Sequence, residues 1–149
     1  MKTLYQDSSY QEIADRLCKL TPIAEKQWGK MSVAQMLAHC CEPLEVAIGR
    51  KITKRLLIGR ILGPLAKPAY VGEKPFAKNG PTAKDFLVRD ERDFTAEKTK
   101  LENLIKEFHG GGLGGATTNP HAFFGKLTKE EWGIVMYKHL DHHLRQFSA

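Results

Sequence analysis

The chain has 149 residues, 42% hydrophobic and 27% charged. That length is enough for one domain (1–149) with a real core, and the composition excludes disorder. No apolar run approaches the roughly 20 residues of a membrane span. The net charge of +6 is spread along the chain, except for a cluster of bases around residues 50–60, and no nucleic-acid-binding motif accompanies it, so it predicts a solvated basic surface with neither nucleic acid nor membrane as partner.

The opening MKTLYQDSSYQE lacks the apolar core of a secretory signal. Cys18, Cys40 and Cys41 are odd in number and two are adjacent, which is no disulfide framework. Together these predict a cytoplasmic protein. Without a CxxC spacing, Cys40 and Cys41 read as small packing residues in a helix.

Ser9 with Glu12, Ser32 with Gln35 and Thr128 with Glu131 each have the form of a capping box. The first predicts a helix over 9–20, with Ile13, Leu17 and Leu20 inward and Thr21-Pro22 as its stop. The second predicts a helix over 33–49, with Val33, Met36, Leu37, Cys40, Leu44 and Ile48 inward and a bend at Pro43. Residues 51–67 form a basic amphipathic stretch interrupted by glycines and Pro64. It reads as one or two short helices packed on the rest with their lysines in water. Residues 68–93, with Pro68, Pro75 and Pro81, read as mostly irregular.

Leu101, Leu104, Ile105 and Phe108 predict a helix over 94–109, ended by Gly110. HGGGLGG, at 109–115, has neither a phosphate-loop Lys-Ser/Thr nor a GxSxG partner, so it reads as a flexible connector. The last helix, 129–147, carries Trp132, Val135, Met136, Leu140, Leu144 and Phe147. The fold class is therefore all-α: a four-helix bundle with a long irregular segment between the second and third main helices.

Six histidines are present, three of them in KHLDHHLRQF. With Trp132 at zero on the helical wheel, His143 falls near 20° and His139 near 340°, within and at the edge of the apolar stripe; His142 falls near 280°, beside the charged side with Lys138, Asp141 and Arg145. Two imidazoles one turn apart make a transition-metal half-site, and His39, in an apolar run of the second helix, is the best third ligand. The same pattern is open to ordinary hydrogen-bonded core histidines. Gln35 and Glu42 flank His39 and could orient it. His121, in PHAFFG before the last helix, is the candidate acid/base, or else a loop residue.

Three features resemble the DinB/YfiT-like superfamily of metal-dependent proteins: WGKMSVAQMLAHC with His39 on a capped helix, the ending HLDHHLRQF, and their order in the chain. The stretch NPHAFFGKLTKEEWGIVMYKHLDHHLRQF is similar to an uncharacterised-domain branch of it. The likeness implies an up-down-down-up bundle, often dimeric, with zinc or nickel held by His39, His139 and His143. It also implies chemistry of the hydrolase or thiol-transferase kind, on a small molecule and with a low-molecular-weight thiol as one partner. The alternative is a non-catalytic helical binding or dimerisation module with a vestigial histidine site, a homodimer in the second case.

Overall fold

The computed structural model describes residues 1–80, 82 and 86–149. Its elements are five helices: α1 (Asp7–Lys19), α2 (Val33–Ala47), α3 (Leu57–Val71), α4 (Phe94–Gly115) and α5 (Lys129–Gln146). No strand occurs among the described residues; the only bridge there joins His121 and Gly125. Helices α1, α2, α4 and α5 pack on one another as a helical bundle, with the α2–α4 pair the most extensive contact, and α3 packs on α5.

The apolar stripes go where their spacing sends them. Ile13, Leu17 and Leu20, Met36, Leu37, Cys40 and Leu44, Leu101 through Phe108, and Trp132 through Phe147 supply one continuous core. Ser32 and Thr128 cap α2 and α5 with reciprocal bonds to Gln35 and Glu131. Pro43 lies inside α2.

At α1 the expected cap is wrong. The helix begins at Asp7, so Ser9 lies within its first turn, buried, with its hydroxyl donating to the Gln6 side chain at 3.2 Å. Glu12 is engaged elsewhere, by Lys2 and by the Tyr137 hydroxyl. Helix α4 likewise departs from its expected end at 109. It is capped by Asp93 and runs through the glycines to Gly115, broken only at Gly112, whose φ is +51°. A Cβ on any glycine from 110 to 115 would meet no other part of the protein within 4 Å, so these glycines are not required by close packing, and the chain is buried again at Ala116 and Thr117.

The 51–67 stretch is the largest departure. The glycines do not interrupt α3; they are its docking face. A Cβ on Gly59 or Gly63 would stand 2.5 or 2.3 Å from the Phe123 carbonyl oxygen, so only glycine permits this approach. Pro64 and Pro68 sit inside the same helix. With the glycines inward, Leu57, Ile58, Ile61, Leu62 and Leu65 point into solvent, the reverse of the expected orientation. Lys138 fastens the far end. It is buried, not on a charged face, and its Nζ donates to the carbonyls of Tyr70 and Gly72 at 2.7 and 2.6 Å. Those carbonyls have no helical partner of their own. The segment expected to be irregular from 68 is helical to Val71; beyond Gly72 the described residues up to Asp93 are largely irregular, as expected, and Pro81 lies outside the described residues.

Candidate metal centre

The bundle brings His39 of α2 against His139 and His143 of α5. One nitrogen from each ring lies within 4.8 Å of the others, and the ring centroids are 4.7 to 5.0 Å apart. His39 and His143 are buried, while His139 keeps partial exposure. The wheel ordering is therefore realised, with His143 within the stripe and His139 at its edge.

Hydrogen bonds outside the cluster fix the tautomers. His39 Nδ1 lies 2.9 Å from the Phe86 carbonyl oxygen. A carbonyl only accepts, so Nδ1 carries the proton and the Nε2 lone pair faces inward. His143 is fixed through one more step. The Gln146 side-chain nitrogen donates to the Trp28 carbonyl at 2.7 Å, which orients the amide and turns its oxygen to His143 Nδ1 at 2.8 Å. That oxygen also only accepts, so His143 Nε2 is likewise left as a lone pair.

His39 Nε2 faces His139 Nε2 at 3.1 Å. Either His139 donates a proton into this contact, or two lone pairs converge and a cation belongs between them. The spacing is compatible with both: it is an ordinary N–H···N distance, and it is close to the roughly 3.3 Å that tetrahedral bonds of about 2.05 Å place between two nitrogens.

The cluster is electrically prepared as well. Burial lowers the pKa of His39. It takes His143 down to about 3, with His39 as the next cause. His139 falls well below the usual range through burial first, then through its neighbours His143 and His39. Three neutral imidazoles at neutral pH are the form that binds a metal. The described residues thus present three histidines that could hold one metal ion.

A wall flanks His143. The His142 ring lies 5.0 Å from that of His143, 5.6 Å from Trp28 and 6.3 Å from Phe76. His142 therefore lies among aromatic side chains beside the cluster, with Lys78 4.5 Å over Trp28 and Lys138 4.7 Å over Phe76.

Other candidates stand apart. His121 accepts the backbone amides of Phe123 and Phe124 on Nδ1, at 3.1 and 3.2 Å, and its ring packs near Tyr70, Phe124 and Trp132. Burial, with Arg55 second, brings it down to about 4. Gln35 does not orient His39: both ends of its amide are taken, by the Ser32 cap and the Asp90 carbonyl. Glu42 is paired with Lys51. The Cys40 and Cys41 thiols are pushed up by burial, Cys41 to about 12, and Cys40 rests on the Met36 sulfur at 3.7 Å, which is packing rather than ligation.

The residues that orient His39 and His143 are Phe86, through its carbonyl, and Gln146 with Trp28. A backbone carbonyl leaves no trace in a sequence. Gln146, three residues after His143, had a readable position. Gly29 supports the same contact: its φ is +79°, and a Cβ there would fall 2.5 Å from the Gln146 amide nitrogen.

The model of one family, described as "Protein of unknown function (DUF1569)", matches residues 5–149. No curated protein and no solved structure matches the chain.

Proposed function

This chain belongs to that family of unknown function, and we propose that it is a metal-dependent enzyme whose cation, zinc or nickel, sits among His39, His139 and His143. The observation that carries the reading is the convergence of three ring nitrogens within 4.8 Å, with the outer nitrogens of His39 and His143 tied to fixed oxygen acceptors. Such outer partners are how proteins aim imidazoles at a metal. A three-imidazole set suits zinc and nickel among the divalent ions. The resemblance to DinB/YfiT-like proteins supports the same three ligands and the same metals.

A divalent cation held by His39, His139 and His143 would supply Lewis acidity, lowering the pKa of a water or thiol bound to it. The chain's own residues do the rest. His39 and His143 keep their lone pairs aimed inward. Trp28, Phe76 and His142 place aromatic rings beside His143, where the organic part of a small substrate would meet them. His121 has its Nδ1 occupied by two amides and is held neutral by burial, so its Nε2–H could offer a hydrogen bond to a substrate but could not act as the acid/base. The reaction is hydrolysis or S-transfer from a low-molecular-weight thiol to an electrophile.

The test is turnover by the zinc- or nickel-loaded chain on a panel of ester, amide and thiol-plus-electrophile substrates. His143→Ala and chelated protein are the controls. Turnover that needs the metal and is lost in His143→Ala supports the reading, and turnover indifferent to both sinks it. A second reading, a non-catalytic module with a vestigial site, is favoured by one observation: the 3.1 Å contact of His39 with His139 satisfies both rings without metal if His139 donates. Metal-free protein whose stability is unchanged by chelation or added metal supports that alternative.

A further inference from the structure

Helix α3 turns its aliphatic side away from the protein. Leu57, Ile61 and Leu65 are 76%, 71% and 78% exposed, and Ile58 and Leu62 stand beside them. On the helical wheel these five, with Pro68 and Ala69, fill an arc of about 140° that contains no charged or hydrogen-bonding side chain. Ile52 and Leu56 extend the apolar surface before the helix. The exposed aliphatic area is on the order of 800 Å², more than an ordinary monomer leaves bare and about what each partner gives to a standard interface.

We infer that this face is the interface of a symmetric homodimer, in which α3 of one copy lies antiparallel on α3 of a second copy. Three observations select that occupant. The area matches what one side of a stable dimer needs. The arc is purely Leu, Ile, Pro and Ala, so a two-fold axis brings no like charges face to face, and aliphatic ridges meet aliphatic grooves.

The third is the disposition of the neighbouring charges, which disfavours an anionic membrane. The segment 46–72 holds six basic residues and no acidic one, but most are already engaged. Arg50 pairs with Glu107, Lys51 with Glu42 and Lys67 with Glu131. Arg55 is held by the carbonyls of His121, Ala122 and Phe123. Among the described residues only Lys54 and Arg60 of this segment lack such a partner. A basic amphipathic membrane helix keeps its cations free for lipid headgroups; this one does not. The rigid seat of α3 on Gly59, Gly63 and Lys138 presents the face preformed, which lowers the entropic cost of pairing.

The experiment is sedimentation velocity on the untagged chain from low to high micromolar concentration, beside co-sedimentation with phosphatidylglycerol vesicles. The expected species has twice the 16.8 kDa chain mass and leaves the vesicles unoccupied. Ile61→Glu/Leu65→Glu is expected to sediment as a monomer with unchanged helical circular dichroism, since both side chains are solvent-facing in a single copy. Should that variant misfold, Leu65→Asn alone is expected to weaken the dimer by about tenfold or more, and amide exchange over 57–65 in the wild type is expected to slow as concentration rises. A monomeric wild type, a dimer indifferent to these substitutions, or a monomer that binds the vesicles overturns the inference.

Discussion

Gln146 holds the ring of His143 from three residues along the same helix, its Oε1 2.8 Å from Nδ1, while its Nε2 donates to the Trp28 carbonyl. A loop from the first quarter of the chain thereby sets the tautomer of a histidine at its end. Gln146→Leu removes this without touching a ligand. Metal affinity, read by competition with a chromogenic chelator, is expected to fall about ten- to a hundredfold. The helical content is expected to stay intact. An unchanged affinity would show that the bond does not orient the ligand.

Gly63 is the tightest point of the α3 seat, its missing Cβ position 2.3 Å from the Phe123 carbonyl. Backbone cannot yield there as a flexible side chain would. Gly63→Ala is expected to cost about 1–3 kcal/mol by forced displacement, although alanine is the better helix former. Chemical denaturation measures it, and a stabilised variant would contradict the packing described.

Much of the fold was legible in the sequence because periodicity and capping are local. The stripes of α2, α4 and α5 and the caps at Ser32 and Thr128 needed nothing beyond their own segments. What failed depended on distant partners. Ser9 and Glu12 have the form of a cap, but Gln6 already terminates α1 and Lys2 and Tyr137 take the Glu12 carboxylate. The α3 face inverted because Phe123, some sixty residues on, demands glycine against it. The site followed the same rule. The wheel placed His139 and His143 on one face, and the apolar setting of His39 brought it to them. Their orienting partners, a backbone carbonyl at Phe86 and the Trp28–Gln146 bridge, arise only once the chain is folded.

Low pH is expected to loosen the metal-free protein. Burial holds His143 down to about 3 and His121 down to about 4, whereas in the unfolded chain both titrate near 6.5. Between those values the unfolded state binds more protons, so stability is full above about pH 6.5 and declines as pH falls toward 4 and then 3. The loss is on the order of 2–3 kcal/mol per fully buried histidine by pH 4.5, and less for the partly exposed His121. Urea denaturation at pH 7.5 and 4.5 checks it; equal midpoints would mean that these rings are not buried in neutral form.

The most direct test of the account is the metal content of the chain purified without a histidine tag and then offered zinc or nickel, measured per mole of protein by mass spectrometry of the elements. About one equivalent is expected to survive gel filtration. In His139→Ala/His143→Ala it is expected to vanish. Retention of no metal by the wild-type chain, or equal retention by the double variant, would contradict the claim that these three imidazoles form the centre.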